Sequence, residues 1–188
     1  MTDKLKTFLK NFTAFEEEEL DIIVNSFKPL SASKNEILLH EGDVCRAFYF
    51  VYSGGIRTFF IDKNGYEKTR YVVLDNQIGT TLASFILQKP SIEVIEALED
   101  TRLLSIGHGD FYRLIREMDN WRNFYQKILE SAYSFQNRKI EALVTLTAKQ
   151  RYEQLRTENP ALIQRLSNKI LASYLDMREE TLSRLKSA

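Results

Sequence analysis

Ala47-Phe48-Tyr49-Phe50-Val51-Tyr52-Ser53-Gly54-Gly55-Ile56-Arg57-Thr58-Phe59-Phe60-Ile61 is the stretch that decides the fold. Aromatic and β-branched side chains fill it on both sides of a Ser-Gly-Gly break, the composition of two short strands joined by a tight turn. Asp62-Lys63-Asn64-Gly65 follows, then Tyr66 to Leu74 in the same style. Asn64-Gly65 predicts a hairpin with a type I′ turn, in which both central residues take positive φ. Working outward, Glu41-Gly42-Asp43 and Asp75-Asn76 supply further breaks, and strands are expected again at Ser91–Ala97 and Thr101–Ile106. Strand periodicity thus runs from Ser31 to Ile106, interrupted by a helical turn within Gly79–Leu87 ahead of Pro90. Many short strands at near-regular spacing predict an antiparallel barrel or jelly roll.

Helical patterning flanks this block. Residues 3–27 read as helix from Leu5, Phe8, Leu9 and Phe12, then Leu20, Ile23, Val24 and Phe27. Thr13 is the expected N-cap ahead of the acidic run Glu16–Glu19, whose charges suit a helix N-terminus. Beyond Gly109 the chain reads as helix throughout, first over Phe111–Met118 and then over about 120–146. Trp121, Tyr125, Ile128, Ala132 and Phe135 alternate steps of four and three, and Ala142 and Leu146 resume the seam after Lys139. A helix of about 40 Å, at 1.5 Å per residue, overruns a barrel of this size. Its heptad-like seam predicts pairing with a second copy of the chain. The fold class is α+β: a β-barrel or jelly roll with flanking helices over 1–118, a dimerisation helix over 119–147 and an all-α unit over 148–188.

The last unit predicts short helices. Ala148–Glu158 is followed by Pro160 as a first-turn proline, and Ser167 caps the next helix. Asn168–Leu175 and Arg178–Lys186 then form two amphipathic helices, and small Ala172 lets them cross closely. With Leu175, Met177 and Leu182 fixing the angle, this is a helix-turn-helix. Its second helix would enter the major groove, exposing Arg178, Glu179, Thr181, Ser183, Arg184 and Lys186. Arginine suits guanine, glutamate accepts from cytosine N4, and Ser, Thr and Lys hold phosphates. Asp176 stands where such turns often carry glycine. With Ala188 closing the sequence, no wing is expected after the second helix.

Composition narrows the function. The net charge is zero over 188 residues, 26 basic against 26 acidic, yet it is unevenly spread. Residues 1–109 hold 12 basic and 16 acidic side chains (−4), 110–147 hold 6 and 5 (+1), and 148–188 hold 8 and 5 (+3). A mildly basic tail behind an acidic body suits a unit that meets phosphates. No secretory signal and no membrane span are read, and one cysteine, Cys45, fits a reducing cytoplasm. That cysteine also rules out an iron–sulfur cluster, which needs about four. His40 and His108, the only histidines, read as turn residues and not as haem or metal ligands. Cys45 beside Arg46 reads as a small side chain at a strand start in preference to a redox thiol.

Leu39-His40-Glu41-Gly42-Asp43, Phe48 to Gly54, Asn64-Gly65 and Ile95 to Thr101 together resemble the cyclic-nucleotide-binding-type barrel of the CRP/FNR superfamily of bacterial regulators. Arg151-Tyr152-Glu153 through Pro160, Leu171 to Leu175 and Glu180 to Arg184 resemble its C-terminal DNA-binding domain, in the short-tailed branch common in Bacteroidetes. The resemblance implies a homodimeric, cytoplasmic, non-enzymatic transcriptional regulator that binds double-stranded DNA, with RNA polymerase as a further partner. It also locates a phosphate-binding cassette at Gly79, Thr80, Thr81, Leu82, Ser91 and Ile92. Cyclic-nucleotide-binding members carry Phe-Gly-Glu and Pro-Arg-Ser/Thr-Ala there. This chain has Ile78-Gly79-Thr80 and Pro90-Ser91-Ile92-Glu93, so the ribose carboxylate and phosphate arginine are missing. Losing one charge-assisted bond to a buried phosphate costs about 1.5–3 kcal/mol. Neither cyclic AMP nor cyclic GMP is therefore expected as cofactor, and any effector is of unidentified chemistry. The competing reading is a small-molecule-binding or protein-interaction module with a decayed helix-turn-helix.

Overall fold

The computed structural model describes residues 2–187. Two compact units emerge from the chain. One comprises the chain through Phe60 with Tyr71–Leu129, and the other Ile61–Arg70 with the chain from Glu130 onward.

The first unit opens with α1 (Thr2–Lys10) and α2 (Glu17–Asn25), then β1 (Lys28–Ala32), β2 (Ile37–Leu39), β3 (Ala47–Ser53), β4 (Gly55–Ile61), β5 (Glu67–Leu74) and β6 (Gln77–Gly79). Next come α3 (Leu82–Leu87), β7 (Val94–Ala97), β8 (Thr101–Gly107), α4 (His108–Glu117) and the start of α5 (Asp119–Thr145). Two four-stranded sheets, ordered β1-β8-β3-β6 and β2-β7-β4-β5, form the expected jelly roll. Antiparallel β3 and β8 register Phe50 against Leu104, both buried. Gly54 turns β3 into β4 at φ +102, and a Cβ there would lie 2.5 Å from Thr101 Oγ1. Only glycine fits that approach.

Two local expectations are corrected. The N-terminal helix breaks into α1 and α2, which fold back so that Lys6 reaches Asp21 and Lys10 reaches Glu17. No glycine or proline marks this break. Glu16, not Thr13, caps α2, through a box in which Glu16 N–H donates to Glu19 Oε2 at 2.9 Å. The Thr13 hydroxyl is buried with no hydrogen-bond partner. The Asn64-Gly65 hairpin exists with a different turn: Gly65 alone has positive φ, and its N–H donates to Asp62 O at 2.9 Å. The Asp62 carboxylate accepts from the N–H groups of Asn64 and Tyr66, a longer loop than a two-residue I′ turn. These bonds hold the Asp62 carboxyl below its ordinary pKa.

An aromatic cluster joins β3 to α3, α4 and the start of α5. Phe48, Phe85, Phe111, Trp121 and Phe124 are buried, with Phe48 stacked on Phe111 at 5.1 Å and Trp121 edge-on to it at 5.2 Å.

The second unit holds the β4–β5 hairpin tip, the rest of α5, α6 (Ala148–Glu158), α7 (Pro160–Arg165), α8 (Asn168–Tyr174) and α9 (Glu179–Ser187). Thr147 and Gln150 form a capping box for α6, Pro160 opens α7, and Ser167 caps α8. No helix of the described residues is long and apolar enough to cross a membrane.

Candidate functional site

Leu171, Ala172, Leu175 and Leu182 are buried where α8 meets α9, so apolar spacing brings the helix pair together. The turn uses the backbone state that favours glycine: Asp176 has φ +50. Met177 N–H donates to Ala172 O at 3.0 Å and Asp176 N–H to Ser173 O at 3.3 Å, the paired bonds of a Schellman ending. Arg151 fixes the same turn from α6. Its guanidinium donates to Leu175 O at 2.9 Å, Asp176 O at 3.1 Å and Leu146 O at 2.8 Å. One side chain thereby joins the end of α5 to the helix-turn-helix.

Arg178, Glu179, Ser183, Arg184 and Lys186 are exposed, while Thr181 is half-buried. Arg178 precedes α9, and its carbonyl accepts Leu182 N–H at 3.1 Å, so the helix begins one residue later than the sequence suggests. Lys186 Nζ donates to Asn168 Oδ1 at 2.7 Å, tying the end of α9 to the start of α8. What remains outward is a strip carrying two guanidiniums, a hydroxyl and carboxylates on one side of a short, well-anchored helix.

Sequence reasoning missed the residues that hold the hairpin tip against this unit. Ser173 Oγ accepts Thr69 N–H at 2.7 Å and donates to Glu67 O at 2.8 Å. Lys68 pairs with Asp176 at 2.7 Å and Lys169 with Glu67 at 3.0 Å. Lys139 donates to Thr69 O at 3.0 Å and Arg70 O at 2.7 Å, with its ammonium 4.2 Å from the Tyr174 ring centre. Burial, then the Arg70 charge, push its pKa down to about 8. A lysine interrupting an apolar seam was the available signal. Nothing in the sequence says that hairpin carbonyls receive it.

The long helix corrects the expected pairing seam. Trp121 is 1% exposed, and its indole donates to Phe111 O at 3.2 Å, so it belongs to its own core and cannot meet a partner. Tyr125 packs on Phe111 and meets Tyr112, and burial raises its phenol pKa. Ile128 packs on the same core. Ala132 and Phe135 are half-buried in the second unit. A heptad stripe reads alike whether it covers its own chain or another. The exposed apolar residues of α5 are Tyr133, Ile140, Leu143 and Val144, roughly a quarter-turn around the helix from the seam.

In the cassette, Gly79 closes β6 at a point where a Cβ would strike Val73 Cγ2 at 2.5 Å. Thr80 Oγ1 donates to Ala47 O at 2.8 Å and lies 3.1 Å from Cys45 Sγ. Cys45 is 1% exposed. Thr81 precedes α3 with its hydroxyl buried and unpartnered, and Leu82 packs on the core. Ser91 is buried; its hydroxyl donates to Glu93 O at 2.9 Å and accepts Glu93 N–H at 3.0 Å. Ile92, expected beside it in the pocket, is corrected: at 72% exposure it projects into solvent. Arg57 and Glu96 pair at 2.5 Å beneath the surface, so this buried barrel guanidinium already has its carboxylate. His108 packs on Tyr112 and Phe85, and burial lowers its pKa. Among the described residues no three His, Cys, Asp or Glu side chains cluster as a metal site would require.

Residues 29–118 match the cyclic nucleotide-binding domain family. The cyclic AMP receptor protein of Thermus thermophilus is 26% identical over 107 residues, a match taking in 57% of this chain and 49% of that relative. Among solved structures, Thermus thermophilus catabolite activator protein aligns at TM-score 0.62 and 20% identity, covering 94% of this chain and 84% of the other. FixK2 from Bradyrhizobium japonicum aligns at TM-score 0.73 and 17% identity, covering 86% and 83%.

Proposed function

We propose that the chain, whose residues 29–118 match the cyclic nucleotide-binding domain family and whose fold is that of a solved CRP/FNR-family regulator, is a DNA-binding transcriptional regulator acting as a homodimer in the cytoplasm. One observation carries the reading: the helix-turn-helix is locked at its turn by Schellman bonds and Arg151, yet leaves Arg178, Ser183 and Arg184 outward on α9. A decayed unit has no reason to keep a costly left-handed aspartate so fully bonded. Arg178 and Arg184 are placed to read base edges, while the Ser183 hydroxyl and the two Lys186 donors not given to Asn168 hold phosphates. Regulation and not catalysis is the activity, and RNA polymerase is a natural further partner of a DNA-bound dimer.

The dimer forms along the exposed face of α5 through Tyr133, Ile140, Leu143 and Val144. A two-fold protein then matches a palindromic site. The barrel takes neither cyclic AMP nor cyclic GMP, because Thr80 and Ser91 spend their hydroxyls on backbone groups and no arginine occupies the phosphate position. Selection from random duplexes at several salt concentrations tests the reading. It should yield a dyad sequence whose log affinity falls linearly with log salt, by about 0.9 per phosphate neutralised. Recovery of no enriched sequence from a folded, dimeric sample contradicts it.

A further inference from the structure

Within the C-terminal unit, the second half of α5, α6 and the end of α8 surround a cavity of about 140 Å³. Phe135, Ala142 and Leu155 give it apolar walls, and three cations, Arg138, Lys139 and Arg151, stand at its edge. None of the three pairs with a carboxylate among the described residues. Arg151 serves backbone carbonyls, and Lys139 gives two of its three N–H donors to Thr69 O and Arg70 O. The cavity's single carboxylate, Glu158, accepts instead from Gln154 at 2.8 Å. A buried ammonium without a counter-charge is costly to keep, and burial accordingly lowers the Lys139 pKa.

We propose that this cavity binds a small aromatic monocarboxylate about the size of benzoate. The volume sets the size, since a cavity of about 150 Å³ lined by apolar side chains holds one benzene ring. The chemistry sets the charge: an apolar interior takes the ring, and the third Lys139 donor and the unpaired Arg138 guanidinium take the carboxylate. A ligand there touches Tyr174 and Leu175 at the end of α8, next to the carbonyls that Arg151 holds. It would sit in the unit that carries the helix-turn-helix and not in the altered cassette.

Benzoate titrated into the full chain without DNA, by calorimetry and by NMR of labelled lysine and tyrosine side chains, tests this directly. Saturable binding of one benzoate per chain is expected, with Kd of about 1 mM or tighter. Lys139 and Tyr174 signals should move, and neutral benzamide, which cannot form a charge-assisted bond, should bind at least about tenfold more weakly. Ala142→Trp, which fills the cavity and leaves the Lys139 and Arg151 side chains in place, should abolish benzoate binding. No saturation by about 10 mM benzoate, equal affinity for benzamide, or shifts away from Tyr174 would each overturn the proposal. If Ala142→Trp does not fold, the wild-type shift map and the benzamide comparison decide alone. Since no DNA is present, failure here leaves the DNA-binding reading standing, and failure of DNA binding leaves this site standing.

Discussion

The barrel cassette and the helix-turn-helix spend their polar groups in opposite ways. At Thr80 and Ser91 the hydroxyls close onto Ala47 and Glu93 backbone atoms, and Arg57 is already paired with Glu96. On α9 the turn and core are bonded internally while Arg178, Ser183 and Arg184 remain outward. A group already satisfied by its own chain gives little to a ligand, because binding must first break what it has. An anchored helix presenting unspent donors loses little on binding, since its backbone is already ordered. The contrast supports the proposal that the second unit recognises nucleic acid and that the first is a poor host for a cyclic phosphate.

The largest effect separates the two faces of α5. Trp121→Ala removes a fully buried ring and an indole hydrogen bond, and should cost about 3–5 kcal/mol in chemical denaturation. Ile140→Glu alters an exposed position and should leave monomer stability within about 0.5 kcal/mol. Sedimentation should nevertheless find Ile140→Glu monomeric at concentrations where wild type is a dimer. A dimeric Ile140→Glu variant would return the pairing seam to another face.

A second test concerns the lysine between α5 and the hairpin tip. Its folded pKa of about 8 lies below its ordinary 10.5. Between these values the unfolded chain binds a proton that the folded chain has released, so stability rises with pH across that window. Relative to the Lys139→Met variant, wild type should gain up to about 3 kcal/mol from pH 8 to 10.5. Tyr49, whose pKa burial raises to about 12, acts in the opposite sense above pH 10 and is common to both proteins. A difference that stays flat across the window would show that Lys139 is not buried beside Arg70 as the fold places it.

The smallest effect belongs to the cassette. Calorimetry with cyclic AMP or cyclic GMP should show no binding tighter than about 10 μM. Ser91→Ala should cost about 1–2 kcal/mol of stability, through the orphaned Glu93 N–H, without altering that result. Tight binding by wild type would mean that backbone amides suffice without the carboxylate and guanidinium.

Local composition carried the architecture: the aromatic strands of 47–74, the Ser-Gly-Gly break, Pro160 and Ser167 were all legible. The break between α1 and α2 was not, because it depends on a glutamate capping box and on Lys6 and Lys10 meeting carboxylates across the fold-back. Nor was the direction of the α5 seam, since Trp121 repeats with the period of a coiled coil while serving its own core. For the candidate site, α9 followed from apolar spacing, whereas Arg151, Ser173 and Lys139 act through backbone atoms far away in sequence. Side-chain bonds to distant carbonyls leave no periodic mark.

The central claim is that the outward strip of α9 recognises DNA. Its most direct test compares wild type with the Arg178→Ala, Arg184→Ala, Lys186→Ala triple variant on the selected duplex at fixed salt. The triple variant should remain folded and dimeric and bind at least about 100-fold more weakly, with Arg178 and Arg184 each contributing about 1–3 kcal/mol where they read bases. Its salt slope should become shallower by about one unit for each phosphate that the variant no longer neutralises. Unchanged affinity and slope in a folded, dimeric triple variant would contradict the account.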